Sequence, residues 1–544
     1  MSVGTRRAVQ GVAGAAVLIS ALTLLARLAG FGRTVVFTNA VGADTTAATY
    51  VAANNVPNIV FEVVAGGALA SLVVPMLAGG IAAGNRDQVR QTANALLGWS
   101  LVVLVPLAAL LALLARPIAT LLLGDDPAKV DLAARFLVVF APQVVLYGLA
   151  VVLTGVLQAH RRFAGPAVAP LLSTLVVASA YLLFAAMAGS RTVDGLDTAA
   201  ELVLAVGTTL GVVALAAALL VPLRGLRLGL RPALRFPVGA APQVRRLALA
   251  GVLTLAGQQL VAVVSIRLAN AAGAPASTQV AYFAGMTVFL LPWAALAVPL
   301  ATSVYPGLAE RAAVGDEEGY RRTLAPAVVL TLVASAVAAA GLVAVSGPMA
   351  RVFLAAPEDA GAAAVLQPAI AAFAPGLLGY GLVALLTRAL YARGLWRAPT
   401  VCVGGGWLVA VAADLVLAAV LPAQDRAWAL AAGHTIGVTV AGLSLLLVLA
   451  RVAGPGALTG VVRVGGPALL AGLLAGTAGW LTARALGADP VPEGGVLAAI
   501  GTGLAAGGVV LVVAAAVMMG TSRRPLHAAV AGLRRPGRGE VSDD

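Results

Sequence analysis

Two stretches 233 residues apart match without a gap, and each lies in a long apolar segment. Phe140–Pro166 reads FAPQVVLYGLAVVLTGVLQAHRRFAGP, and Phe373–Pro399 reads FAPGLLGYGLVALLTRALYARGLWRAP. Phe140/Phe373, Ala141/Ala374, Pro142/Pro375, Tyr147/Tyr380, Gly148/Gly381, Thr154/Thr387, Ala159/Ala392 and Pro166/Pro399 coincide. Leucines and valines coincide by chance in so apolar a chain. Two prolines, a Tyr-Gly and a Phe-Ala-Pro at one offset do not. A fold with two homologous apolar lobes places its substrate site between them, which is the plan of a transporter.

The apolar segments belong to a bilayer. Only 10% of the 544 residues are charged and 61% are hydrophobic, whereas a soluble domain carries about 25% charged residues. Residues 91–115, 163–190, 323–350 and 427–450 contain no Asp, Glu, Lys or Arg, and each is long enough to span a membrane as a helix. Unbroken runs of this length exclude the alternating strands of a membrane barrel. The chain therefore reads as an all-α polytopic membrane protein. Fourteen spans are expected, at about 11–40, 46–80, 93–115, 132–159, 165–189, 200–222, 247–270, 277–308, 324–347, 363–391, 398–421, 428–450, 464–485 and 495–519.

The basic residues test that count. Alternate connections hold 24 of the 35, among them Arg86, Arg90, Arg161, Arg162, Arg224, Arg231, Arg321, Arg322, Arg393 and Arg397. The opposite side holds seven, and four lie within spans. The positive-inside rule then puts the richer side and both termini in the cytoplasm. The net charge of +13 reflects this topology rather than nucleic-acid binding. The N-terminus lacks a small-residue cleavage site and is not expected to be a removable signal.

Both repeat copies fall on the fourth span of their half. The lobes are therefore expected to be parallel repeats of six helices, with spans thirteen and fourteen added at the C-terminus. The expected divisions are 1–222 (first lobe), 223–246 (cytoplasmic amphipathic linker), 247–451 (second lobe), 452–520 (two further helices) and 521–544 (disordered basic tail). In the linker, arginines alternate with Leu and Phe, the pattern of a segment lying on anionic lipid. The tail is expected to touch the same surface.

Ionisable groups inside a span face a partner or a wet cavity. Arg27 and Arg33 lie on span one, six residues apart, which points them about 120° apart around a helix. Arg267 lies near the outer end of span seven. Arginine stays protonated, and its planar fork matches phosphate oxygens, so these residues are candidates for holding an anion. Their alternative is to snorkel to the interface. Glu62 on span two is either a counter-ion for Arg27 or Arg33, or a proton carrier. Asn54, Asn55 and Asn58 either bind sugar or peptide, or satisfy the backbone freed by Pro57. Asp414, alone on span eleven, suggests a Na⁺ or H⁺ site or a helix–helix hydrogen bond. Arg388 is expected to snorkel. Pro57, Pro75, Pro292, Pro299 and Pro306 are expected to kink spans two and eight. Cys402, the single cysteine, reads as a small buried hydrophobe.

No Gly-Lys-Ser/Thr phosphate loop is present, the three histidines are scattered, and no connection is long enough for a catalytic domain. An enzyme is disfavoured and no cofactor is expected.

ARLAGFGR (26–33), followed by VGADTTAATYVAANNVPNIVFEVVAGGALASLVVPML (41–77), resembles the opening of the MurJ/MviN lipid II flippases of the MOP exporter superfamily. Arg27, Gly30, Phe31, Arg33, Pro57, Asn58, Gly67, Ala68, Val74 and Pro75 carry the likeness. The resemblance implies transfer of undecaprenyl-pyrophosphate-linked disaccharide-pentapeptide from the inner to the outer leaflet by alternating access. Arg27 and Arg33 would be cavity cations, and the lipid tail would ride in a groove formed with the added helices. Na⁺, H⁺ or the membrane potential would supply the drive, and cell-wall synthesis machinery would be the neighbouring partner. The chain departs from the family at Phe61-Glu62 and at Gly285-Met286-Thr287, where many members carry further arginines. An exporter of another lipid-linked oligosaccharide is the alternative implied, and a drug/cation antiporter the next.

Overall fold

The computed structural model describes residues 25–63, 73, 76–77, 80–81, 83–189, 192–226, 228–235, 241–356, 359–454, 458, 461–488 and 495–534, without the side chains of 241–254, 462 and 524–534. Seventeen helices are labelled here in chain order. In the first part these are α1 (25–40), α2 (Thr45–Phe61), α3 (Arg86–Leu113), α4 (Ala115–Leu123), α5 (Pro127–Ala159), α6 (Ala164–Met187), α7 (Thr198–Arg224) and α8 (Ala241–Ala269). The second part holds α9 (Thr278–Pro292), α10 (Val298–Ala313), α11 (Glu317–Phe353), α12 (Ala360–Phe373), α13 (Gly376–Ala392), α14 (Arg397–Val420), α15 (Arg426–Ala453), α16 (Val461–Ala485) and α17 (Val496–Arg534).

The described part of every expected span is helical. Among the described residues ten helices are long and apolar enough to cross a membrane, and α12 with α13 makes eleven as one bent span. Spans one, two and seven are described only in part. The protein is thus an all-helical polytopic membrane protein.

Short polar residues start the helices by taking backbone N–H groups that have no partner within the helix. Asp44 accepts from Ala47 N at 3.0 Å, Asn85 from Gln88 N at 3.0 Å and Asp316 from Gly319 N at 2.8 Å. In lipid the helices then associate through close packing of small residues rather than through exclusion of water. A Cβ on Gly406 would lie 2.8 Å from Gly437 O, and one on Gly442 would lie 2.7 Å from Gly379 O. Glycine is required there because helix backbones touch.

The chain forms two compact units, 1–271 and 272–544. The repeat opens the second lobe at residue 247, whereas the units divide after Ala271, with α8 packed on α4 and α2 of the first unit. The linker leading into α8 is itself fastened to that unit. Arg231 N donates to Asn94 Oδ1 (2.8 Å), Ala233 N to Asn94 O (2.9 Å) and Trp99 Nε1 to Leu234 O (3.0 Å), so residues 228–235 cross α3 as an extended strap. Leu228 turns into the core, while Arg231 and Arg235 stay exposed.

Prolines of spans two and eight stand next to π geometry. Pro292 is followed by a π turn at Trp293–Ala297, and the span continues as one apolar helix through Ala313. Pro57 lies inside α2, with π geometry following at Glu62 and Val63. Pro75 lies outside the described residues. A further bend falls at Pro375, where α12 and α13 meet at 46°. The hydroxyl of Thr435 on α15 donates to Ala372 O at 2.7 Å, satisfying a carbonyl at the break.

The expectation of a disordered tail from Thr521 is corrected over 521–534. The backbone there is helical, with one break at Ser522 (φ −138°, ψ 21°). Pro525 then falls in the first turn of the new segment, where a missing N–H costs nothing. Residues 535–544 lie outside the described set. Arg388, expected to snorkel, is half-buried. Its Nη1 folds back to Ala384 O at 2.8 Å. Cys402 is half-buried against the core of the second unit.

Candidate functional site

Within the first unit, α1, α2, α5, α6 and α7 bring together an aromatic cluster. Phe37 stacks on Tyr50 (5.4 Å), and Phe136 and Phe140 meet Tyr50 edge-on (5.7 and 5.9 Å). Phe140, from the Phe-Ala-Pro of the repeat, is fully buried. The polar ends of this cluster are satisfied internally. Tyr50 Oη lies 2.9 Å from Tyr181 Oη and 2.7 Å from Thr208 Oγ1, and Thr208 donates to Leu204 O. Such networks are stable in low dielectric only when every member is bonded.

Arg33 lies four residues before Phe37 on α1 and is half-buried. Tyr147 packs its ring against Phe61 at 5.0 Å. No carboxylate pairs with Arg33 among the described residues. The counter-ion role expected of Glu62 is therefore not seen: Glu62 is exposed and forms no ion pair among those residues.

The other candidates are placed differently. Arg27 lies six residues before Arg33, roughly 9 Å along α1 at the helical rise, and is exposed. Arg267 is exposed in the last turn of α8. Neither has an ion-pair partner among the described residues. Two asparagines bond along their own helix, Asn55 Nδ2 to Val51 O (2.7 Å) and Asn58 Nδ2 to Asn54 O (2.8 Å). Those carbonyls are not Ala53 O, the one Pro57 leaves without a helical donor. The side chain of Asn54 is half-buried.

In the second unit Asp414 is fully buried at the α14–α15 contact. Gly433 makes room for it, since a Cβ there would lie 2.0 Å from Asp414 Oδ1. The next residue, His434, is 6% exposed and boxed by Phe289, Phe373, Tyr380 and Trp407, with ring centroids 5.5–6.4 Å away. Trp293 stacks on Tyr380 at 4.6 Å and donates Nε1 to its carbonyl. Among the described residues no three His, Cys, Asp or Glu side chains converge.

Sequence reasoning did not single out Tyr50, Tyr147, Tyr181 or His434 as site residues. Only Tyr147 carried a signal, its place in the repeat opposite Tyr380. The others are brought together by packing across helices.

On the outer face of α11, a cavity of about 780 Å³ lies against α17. Its walls include Pro292, Leu296, Ala338, Gly341, Leu504 and Leu511, all apolar.

Comparison with known proteins matches these features to one family. The family model described as lipid II flippase MurJ matches residues 37–485. A probable lipid II flippase MurJ of Rhizobium meliloti (strain 1021) is 27% identical over 416 residues, covering 74% of each chain. The lipid II flippase MurJ of Burkholderia cenocepacia is 27% identical over 389 residues, covering 69% of this chain and 72% of its own. A solved structure of lipid II flippase MurJ in an inward closed conformation superposes with a TM-score of 0.72 at 17% identity, covering 93% of this chain and 99% of that one. An inward-facing MATE family transporter of the MOP superfamily shares the fold less closely, with a TM-score of 0.62 at 13% identity over 82% of this chain and 98% of its own. The family model spans most of the sequence, and the chain belongs to the MurJ lipid II flippase family.

Proposed function

We infer that this protein is a lipid II flippase, a transporter of the bacterial plasma membrane with both termini in the cytoplasm. Its substrate is an undecaprenyl-pyrophosphate-linked disaccharide-pentapeptide, and its direction is from inner to outer leaflet. The observation that carries the reading is Arg33: a half-buried cation on α1, unpaired with any carboxylate among the described residues. A pyrophosphate supplies the missing charge. The guanidinium can hold two of its oxygens at once, replacing the water that the head group sheds on entering the site.

Arg27 is proposed to meet the head group earlier on its path, because it is exposed on the same helix. Arg267, Asn54, Asn55, Asn58 and Glu62 remain proposed contacts for the anion, the sugars and the peptide. The apolar cavity between α11 and α17 suits a prenyl chain, since it offers only hydrocarbon. Asp414 is the proposed point of coupling to Na⁺, H⁺ or the membrane potential. Anionic lipids are proposed to meet the exposed Arg231 and Arg235 of the strap, and cell-wall synthesis machinery is the proposed neighbour.

The test is reconstitution of the full chain in liposomes carrying lipid II labelled on its peptide. Transfer measured by protection from an impermeant quencher should occur with wild type and fall at least tenfold with Arg33→Ala. Equal transfer by both proteins removes Arg33 from the mechanism. No transfer by wild type, with the protein folded and correctly inserted, contradicts the reading itself.

A further inference from the structure

His434 is 6% exposed, and neither of its ring nitrogens has a hydrogen-bond partner among the described residues. An imidazole always carries at least one N–H donor, and the neutral ring adds one acceptor. Burying both unbonded costs free energy that packing alone does not return. The walls offer little in exchange. The rings of Phe289, Phe373 and Trp407 lie with centroids 5.5–5.7 Å away and that of Tyr380 at 6.4 Å, and an N–H facing a ring recovers only part of a hydrogen bond. An ionisable side chain so placed inside a span marks a functional position.

The box is built at a break in a span. Phe373 ends α12 and Tyr380 lies in the second turn of α13, so the imidazole touches the chain on both sides of the 46° bend at Pro375. The next residue, Thr435, bonds to the break itself, with its hydroxyl 2.7 Å from Ala372 O and 3.3 Å from Phe373 O. Gly376 permits this approach, since a Cβ there would lie 2.9 Å from Thr435 Oγ1. A change in the charge or hydrogen bonding of His434 therefore acts on the angle of the broken span. In the proposed orientation α15 starts at the outer face with Arg426, and His434 follows about 12 Å further along the helix.

One carboxylate stands on the helices around the box. α15 packs on α9, α12, α13 and α14. α12 carries no titratable side chain. On α9 there is Tyr282, whose ring packs on Phe373 at 5.4 Å. α13 brings Tyr380 itself, with Arg388 and Tyr391 two and three turns further on. α14 brings Asp414, packed against Gly433, with Arg397 and Cys402 before Trp407.

We propose that His434 is the proton-binding residue of the transport cycle: it takes up H⁺ from water when the α12–α13 break opens the box, and gives it up as the box closes to the state described. The assignment rests on the flippase reading and specifies its coupling ion. The step forms and breaks only an N–H bond. Water on the outer side supplies the proton to the unprotonated ring nitrogen, and water on the inner side receives it. Each head group delivered outward is then exchanged against a proton moving inward.

The test is lipid II transfer by the full chain in liposomes holding a pH-sensitive dye, with and without a gradient of about one pH unit, acid on the side to which the head group is delivered. One coupled proton across one unit shifts the transfer equilibrium up to about tenfold. Wild type should deliver several-fold more lipid II with the gradient, and the dye should report protons moving the opposite way. His434→Gln keeps a planar polar side chain but does not titrate. Whatever transfer it retains should be the same with the gradient as without, and should give no dye signal. His160→Gln, which loses a histidine bonded to Val156 O, should respond as wild type does.

A second measurement needs no working variant. The imidazole resonances of histidine-labelled wild type are followed against pH in vesicles holding lipid II, with His160→Gln and His527→Gln assigning the other two. The His434 signal should shift between about pH 5 and pH 8, the range in which imidazole titrates.

A His434 signal constant over that range overturns the assignment, as does a gradient response in His434→Gln equal to wild type. If Asp414→Asn alone loses the response, the proton binds the carboxylate and the assignment to His434 is wrong. Wild type that transfers lipid II with no gradient response and no dye signal overturns proton coupling and leaves the flippase reading intact. No transfer by folded, inserted wild type contradicts that reading instead.

Discussion

Tyr50 and Tyr181, 131 residues apart in the chain, meet hydroxyl to hydroxyl at 2.9 Å in the interior of the first unit. This contact ties α2 to α6, and Thr208 extends it to α7 through its 2.7 Å bond to Tyr50. Removing one hydroxyl leaves its partner short of a bond in a site that water does not reach. Tyr181→Phe should therefore lower stability by about 1–2 kcal/mol. Thermal melting of the purified protein checks this, and an unchanged midpoint would mean that the network contributes nothing net.

Gly433 is required by contact with Asp414 rather than by its backbone angles. A Cβ there would lie 2.0 Å from Asp414 Oδ1 and 3.0 Å from the Asp414 backbone nitrogen. Side-chain rotation relieves only the first clash. Gly433→Ala should force α14 and α15 apart and cost about 1–3 kcal/mol, the usual penalty of overpacking. The readouts are expression level and melting midpoint, with Gly404→Ala as the control, because a Cβ at Gly404 meets nothing within 4 Å.

The strap over α3 offers a test of the linker. Gly98 lies beneath it, and an added Cβ would lie 2.0 Å from Ala233 O. Gly98→Val should lift residues 228–235 while leaving the core helices in place. Tryptic cleavage after the exposed Arg235 should then run several-fold faster than in wild type. Unchanged cleavage would show that the strap moves freely already.

How far the sequence reveals this arrangement depends on the kind of contact. The 233-residue repeat located two residues, Phe140 and Phe373, that are fully buried in the aromatic clusters of their respective units. The same offset carries Tyr181 onto Asp414, so the two units hold different buried polar groups at one repeat position. That correspondence is invisible locally, because the two residues share no chemistry. Hydropathy located the helical segments because the bilayer fixes their length. It could not separate Arg33 from Arg27, since both sit on one helix and only packing by α2, α5 and α6 distinguishes them. Glu62 read as a counter-ion or a proton carrier from its place in the span, and it is exposed with no ion pair among the described residues. The break at Pro375 is satisfied by Thr435, a residue on another helix that no local pattern points to.

A pH-dependent prediction follows from the connection before α5. Asp126 is the N-cap of α5. It accepts from Ala128 N (3.1 Å) and Lys129 N (3.3 Å), and it pairs with Lys129 Nζ at 3.3 Å. Partial burial pushes its carboxyl up, but the bonds and charge of Lys129 and the Ala128 N–H together outweigh this and hold it below its usual value. A carboxyl lowered on folding stabilises above its unfolded value, near 4, and loses that contribution as pH falls through the folded one. Asp126→Ala should cost about 1 kcal/mol at neutral pH. Below about pH 4 the difference from wild type should shrink. Melting curves across this range check it, and a difference independent of pH would show that the charge plays no part.

The central claim is that Arg33 holds the anionic head group of lipid II during transfer. Its most direct measurement is depletion of this protein in its bacterial host, followed by assay of lipid II accessible at the outer leaflet, with rescue by wild type, Arg33→Ala and Arg33→Lys. Lipid II should accumulate at the inner leaflet and return to the outer face with wild type. Arg33→Ala, at normal protein level, should fail, and Arg33→Lys, which keeps a point charge without the fork, should restore part. Full rescue by Arg33→Ala, or external lipid II unchanged on depletion while another surface glycan disappears, would contradict the account.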